Sequence, residues 1–247
     1  MEIINITLRG ILAGILGTGL GGLIIVLLGK PGDAVLSSVI GLSGGIMISV
    51  VFSDLLPEAL EMGGVFPAFI GILIGVVALL LMDIYLPHSH FYNDIDGDTK
   101  RARYIRTSLL IGLGIAMHNF PEGLAIGAGS VASENLGLSL TFIIALHNIP
   151  EGMAMAGPMK AGRLRSISII WWTALAGVPM GIGALVGAVM GSVSSIVLTL
   201  SLGFAAGAML YVVFDELLPE AYDTSKGHTA TFGAIAGVLL GLMVSLF

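Results

Sequence analysis

The phrase His-Asn-x-Pro-Glu-Gly occurs twice in this chain, as His118-Asn119-Phe120-Pro121-Glu122-Gly123 and as His147-Asn148-Ile149-Pro150-Glu151-Gly152. In a helix, residues four apart lie on one face. Each copy therefore turns one imidazole and one carboxylate the same way. Two such helices facing each other offer two nitrogens and two oxygens to one cation. That set suits tetrahedral zinc and admits other divalent first-row metals. Asn119 and Asn148 stand one step round from each His. They either add neutral oxygen donors or hydrogen-bond the backbone beside them. Pro121 and Pro150 each remove a backbone donor and free the carbonyl four residues back, at Met117 and Leu146, which predicts a kink in each helix.

These residues must be positioned by a chain with the composition of a membrane protein. Hydrophobic residues make up 56% of its 247 residues and charged residues 11%, where a soluble domain carries roughly 25% charge. Mean hydropathy is +1.02. The 36 Gly fit helices whose backbones approach closely. With no Cys, thiolate ligation and disulfides are excluded. Inside a bilayer an ionisable side chain is costly unless it is paired, hydrated or coordinating. Helix adhesion accounts for an isolated Asn, but it does not require His and Glu repeated together around a Pro.

Apolar runs of about 20 residues mark spans, and eight are expected, at about 6–28, 35–59, 67–87, 106–130, 136–158, 167–190, 195–220 and 229–247. The chain thus reads as an all-α integral membrane protein, with residues 1–247 forming one transmembrane domain and one longer loop at about 88–105. The first run lacks a basic region before it and is long enough to span, so it reads as a retained helix rather than a cleaved signal peptide. Nine of the ten basic residues (Lys30, Lys100, Arg101, Arg103, Arg106, Lys160, Arg163, Arg165 and Lys226) follow odd-numbered spans, and only Arg9 does not. By the positive-inside rule those loops face the cytoplasm and both termini face outside.

A longer repeat lies on the second and seventh spans. Residues 41–60 and 203–222 align without gaps with 11 of 20 positions identical, among them Gly41/Gly203, Met47/Met209, Pro57/Pro219 and Glu58/Glu220. These spans run in opposite directions, as do the two carrying the His-Asn-x-Pro-Glu-Gly phrase. Similar segments of opposite orientation indicate an inverted repeat, spans 1–3 against 6–8 with 4 and 5 exchanged, which suits a carrier that presents one site to either side in turn.

Other acids lie near span ends, Asp54 and Glu58 on one side and Asp215, Glu216 and Glu220 on the other. They read either as negative vestibules that concentrate cations or as ordinary interfacial charge. In the longer loop His88 and His90 precede Asp94, Asp96 and Asp98, a weak cytoplasmic metal contact or simply a solvated loop. It is no EF-hand, since Thr99 stands where that loop needs Gly.

On the paired HNFPEG and HNIPEG phrases, the spans and the stretch AGAMLYVVFDELLPEA at 206–221, the chain resembles the ZIP (zinc/iron-regulated transporter-like) family of divalent-metal transporters. Its short loop between the third and fourth spans resembles bacterial members. The resemblance implies uptake of Zn2+, with Fe2+, Mn2+, Co2+ or Cd2+ as further cargo, through a site between the fourth and fifth spans of a plasma-membrane protein (in bacteria, the inner membrane). It implies a homodimer and an elevator-like movement of helices 1, 4, 5 and 6 against 2, 3, 7 and 8. By the same resemblance His118, Glu122, His147 and Glu151 match the primary metal site, and Asn119 and Asn148 match ligands of an adjacent second one. Many relatives complete that second site with a Glu just before a Pro on the sixth helix. Here Val178 precedes Pro179, so a single-metal site is expected. The partners expected are the metal ion, lipid and a second copy, with no nucleic acid and no cofactor beyond the transported ion.

The alternatives are a metal-selective channel with the same ligands and an intramembrane metallohydrolase. The enzyme reading is weak: His-Glu-x-x-His, Gly-x-Ser-x-Gly and a phosphate loop are all absent, and four protein ligands leave no open position for water. Protons compete with a metal for imidazole and carboxylate. Zinc affinity of the purified protein is therefore expected to fall between about pH 7.5 and pH 5, as His takes up protons near its ordinary value of about 6.5. Equilibrium zinc titrations at the two pH values check this, and equal affinities would refute it.

Overall fold

Inside lipid every backbone polar group needs an internal partner, so apolar runs of this length become helices. The computed structural model describes residues 2–29, 31–85 and 100–245. Among these, the chain is helical apart from short turns. The helical stretches are α1 Glu2–Leu28, α2 Asp33–Gly63, α3 Val65–Tyr85, α4 Lys100–Ala132, α5 Glu134–Ala161, α6 Ser166–Gly191, α7 Ser195–Thr224 and α8 Thr229–Ser245. Six stretches are long and apolar enough to cross a membrane: α1, α2, α3, Tyr104–Ala132 of α4, α6 and α7. Helix α5 is also long, but its centre carries His147, Asn148 and Glu151, and α8 is a shorter apolar helix. Leu8, Leu12, Leu16 and Leu20 expose one side of α1, and Phe69, Leu73, Val77 and Leu80 do so on α3. Such apolar faces fit contact with lipid.

Two expectations need correction. Residues 100–105, assigned to the longer loop, begin α4. Hydropathy marks where apolar residues stop, and a helix continues past that point as long as its backbone bonds do. The span expected at 167–190 is two helices, Ser166–Ala176 and Val178–Gly191, broken at Gly177. Pro179 has no N–H for the next turn, and the chain tightens there, with Met180 N–H donating to Gly177 O at 3.2 Å. His88 and His90 lie outside the described residues.

The repeated helices share a local irregularity. Each widens into one π turn, Val51–Leu55 in α2 and Val213–Leu217 in α7, with Leu56 N–H donating to Val51 O and Leu218 N–H to Val213 O. Pro57 and Pro219 follow directly, so the wide turn absorbs the backbone donor that each proline lacks. The start of α2 lies at the end of α7: Ser37 Oγ donates to Ala221 O at 2.7 Å.

Neighbouring helices pack backbone to backbone at glycines. A Cβ added at Gly21 of α1 would meet Ile149 O of α5, and one at Gly123 of α4 would meet Met180 O of α6. One at Gly45 of α2 would meet Ala234 O of α8, and one at Gly75 of α3 would meet Phe204 O of α7. With no strong hydrophobic drive between helices in lipid, such small-residue contact is the main source of association. Gly45→Val is therefore expected to force α2 and α8 apart and cost about 1–3 kcal/mol, the usual range for overpacking. A lower melting temperature of the detergent-solubilised protein checks this.

Candidate metal site

The doubled phrase sits where α4 and α5 pack on each other at mid-length. Glu122, His147 and Glu151 are buried, and one ligand atom from each lies within 4.8 Å of the others. His147 Nε2 is 3.0 Å from Glu122 Oε1. His118 is also buried but is not part of that triad; its Nε2 lies 3.5 Å from Glu151 Oε2, and its Nδ1 lies 3.6 Å from Glu216 Oε2 of α7. Several polar atoms here are buried without a hydrogen-bond partner: Glu122 Oε2, His147 Nδ1, both Glu151 carboxylate oxygens and both His118 nitrogens. Buried polar atoms are nearly always satisfied. A divalent cation among two carboxylates and two imidazoles would satisfy several of them together and balance the carboxylate charge.

The two asparagines have a different neighbourhood. Asn119 Nδ2 donates to Ala176 O at 2.9 Å, the last carbonyl before the break in α6. Asn148 Nδ2 donates to Asn119 Oδ1 at 3.2 Å. The pair thus spans α5, α4 and α6 and satisfies a backbone acceptor on a third helix. Val178 opens the second half of α6 and offers no ligand.

A cavity of 370 Å³ leads from His118 and Glu151 toward the end of the bundle where α5 finishes and α4 begins. Lys160, at the end of α5, marks that end; its Nζ donates to Ile25 O and Val26 O at 2.6 and 3.0 Å, at the close of α1. Glu216, Glu220 and Asp223 line the cavity, with Ser43 from α2. Of the vestibule candidates, Glu216 and Glu220 are thus brought to one mouth, whereas Asp215 is exposed and does not line it. Asp54 and Glu58 lie toward the other end, where Asp54 Oδ1 accepts from Ser245 Oγ at 2.9 Å. On that side Met47, Val50, Ile126, Leu140, Ile144, Leu202 and Met209 pack in one buried apolar cluster.

The sequence reading placed Glu216 in a vestibule rather than beside His118, and it missed Ser43 and Asp223. Glu216 and Glu220, four residues apart, share a helix face, and that was the available signal. Ser43 Oγ donates to His147 O at 3.0 Å; its aligned partner in the repeat is Ala205, so the repeat gave no hint of it.

Residues 87–247 match the family described as ZIP Zinc transporter. The chain is also similar to the Zinc transporter ZupT of Stenotrophomonas maltophilia (strain R551-3), 31% identical over 261 residues that cover 100% of this chain and 97% of the relative. The Zinc transporter ZupT of Corynebacterium efficiens is 34% identical over 248 residues, covering 94% of this chain and 92% of the relative. That of Escherichia fergusonii is 32% identical over 234 residues, covering 91% and 90%.

Asn119→Ala leaves the Ala176 carbonyl and the Asn148 amide without their partner. It is expected to cost about 1–3 kcal/mol of stability and to leave metal binding at the His/Glu group in place. Thermal melting together with a zinc isotherm checks both parts.

Proposed function

The chain belongs to the ZIP zinc transporter family, a family of transporters and not of enzymes, and from that premise we propose that it moves Zn2+ toward the cytoplasm by alternating access. The observation that carries this reading is the buried convergence of Glu122, His147 and Glu151 at mid-length of an apolar bundle. His118 completes the ligand set from the cavity side. Two imidazoles and two carboxylates replace the water shell of the ion, and the carboxylates balance its charge in a medium of low dielectric. Fe2+, Mn2+, Co2+ and Cd2+ fit the same mixed donors.

Eight spans with an inverted repeat describe the scaffold best. The exchange of helices 1–3 with 6–8 and of 4 with 5 turns the α1/α5 pair into α6/α4, and α2/α8 into α7/α3. All four of these pairs are in backbone contact, and α1/α6, which the exchange turns into itself, meets at Gly14 and Gly177. The matched π turns and the opposite directions of α2 and α7 support the same symmetry. Residues 1–247 form one transmembrane domain in the bacterial inner membrane. Its basic loops are cytoplasmic, its termini are outside, and it assembles as the homodimer that the family resemblance implies. On this orientation the cavity opens to the cytoplasm. The apolar cluster beyond the site favours a carrier over an open channel, since a continuous pore would need both ends accessible together.

The site holds one ion, because Asn119 is engaged with the α6 backbone and Val178 supplies no carboxylate. Glu216, Glu220 and Asp223 form the negative mouth through which the ion leaves.

Zinc uptake into liposomes holding purified protein, with a dye inside, tests the proposal. Uptake is expected to saturate. In His147→Ala and Glu151→Ala it is expected to fall by about tenfold or more, since each variant loses a ligand and leaves a charged partner unpaired in the interior. Uptake that survives both substitutions would move the transport path away from α4 and α5.

A further inference from the structure

The helix exchange also pairs side chains. The longer repeat aligns Asp54 with Glu216, and the doubled phrase aligns His118 with His147 and Glu122 with Glu151. One contact is present in both copies: Glu122 faces His147 Nε2 at 3.0 Å, and Glu151 faces His118 Nε2 at 3.5 Å. A second contact is present in only one copy. His118 Nδ1 faces Glu216 Oε2 at 3.6 Å, whereas among the described residues the one carboxylate within ion-pair distance of His147 is Glu122, on Nε2; neither Nδ1 has a hydrogen-bond partner. Asp54, the counterpart of Glu216, is turned to α8 instead. Its Oδ1 accepts from Ser245 Oγ at 2.9 Å, and its Oδ2 is buried without a partner.

We propose that Asp54 is the loading-side partner of the metal site: when the site opens to the opposite end, the Asp54 carboxylate leaves Ser245 and faces His147 Nδ1, as Glu216 faces His118 Nδ1 in this structure. The proposal rests on the alternating-access reading and its inverted repeat. Its physical content is specific. A carboxylate on the second nitrogen of a metal-binding imidazole fixes the ring and raises its basicity as a ligand. The same negative charge raises the local cation concentration at the access side. Glu216 then holds the His118 ring in this state and Asp54 the His147 ring in the loading state, each engaged in one state only. The Ser245 hydroxyl satisfies one Asp54 oxygen while it is not in use, which reduces the cost of holding a half-buried carboxylate away from water. Asp54 and Glu216 are positioning residues, since each acts through an imidazole.

The absence of Cys in the chain makes a direct test clean. Asp54→Cys/His147→Cys and, as the control, Glu216→Cys/His118→Cys are each expressed in membranes and treated with Hg2+, which bridges adjacent thiols. Both pairs are expected to be protected from a polyethylene-glycol maleimide, read as loss of the gel shift. Protection of the control with free labelling of the Asp54/His147 pair overturns the proposal and leaves the transport reading standing. In proteoliposomes Asp54→Asn is expected to raise the KM for zinc on the loading side about tenfold, the lower end of what partners of metal ligands contribute. Asp54→Glu should restore the KM. A folded Asp54→Asn protein with the wild-type KM overturns the proposal. Survival of uptake in both His147→Ala and Glu151→Ala would move the transport path away from α4 and α5, and this proposal would fall with that reading.

Discussion

Two carboxylates and two imidazoles are held out of water in the middle of an apolar bundle, and much of the rest of the structure follows from that burial. Glu122, His147 and Glu151 are at most 3% exposed, so their charge has to be balanced from within. Glu122 has His147 beside it, and Glu151 has His118. Neither contact satisfies all the polar atoms present: Glu122 Oε2 and both Glu151 oxygens are left without a hydrogen-bond partner, which is where the proposed cation would sit. An arrangement this costly persists only where the surrounding helices hold it firmly.

That firmness comes from glycine. The pairs α1/α5 and α4/α6 meet at Gly21, Gly152, Gly123 and Gly183, each placed so that any Cβ would strike the partner's backbone. The Asn119–Ala176 and Asn148–Asn119 hydrogen bonds tie α4, α5 and the break of α6 into one unit. The pairs α2/α8 and α3/α7 are closed the same way at Gly45, Gly237, Gly75 and Gly207. Between the two groups the polar contacts near the site are few: Ser43 Oγ to the His147 carbonyl and Glu216 to His118. Backbone packing resists sliding, whereas side-chain contacts can be exchanged. In the proposed cycle the boundary that moves is the one with the exchangeable contacts.

Much of this was legible in the sequence because it is periodic or repeated. The spacing of four within each phrase carries the buried convergence of Glu122, His147 and Glu151, and the aligned stretches at 41–60 and 203–222 carry the matched π turns. Contacts between residues distant in the chain were not legible. Glu216 read as one acid among several near a span end; its place beside His118 depends on how α7 crosses α4. Asn119 reads as ligand or backbone partner alike, and the carbonyl it donates to, that of Ala176, belongs to another helix. The break at Gly177 was signalled by Gly177-Val178-Pro179 but masked by high hydropathy on both sides. The π turns were hidden because a widened turn leaves the apolar pattern almost intact, even with Pro57 and Pro219 beside it.

In the proposed cycle, charge balance links the site to the direction of transport. Two carboxylates against a divalent cation make the loaded site nearly neutral, and a neutral unit crosses a low-dielectric barrier at least cost. The acids of the cavity stand outside that balance. Glu216, Glu220 and Asp223 belong to α7, whereas the buried ligands are on α4 and α5. In the proposed cycle their negative field therefore acts on the ion at one end of the movement only. There Glu216 faces His118 Nδ1, and with Glu220 and Asp223 it lines the mouth along which the ion is drawn. Once the ion has left, two carboxylates remain in the interior, and His118 and His147 are the groups beside them that can take up protons. In the proposed cycle the set that would neutralise zinc also supplies the means of neutralising its absence. A site built from imidazole and carboxylate together can therefore return empty, which a site built from carboxylates alone would do only at the cost of leaving them charged or protonated themselves.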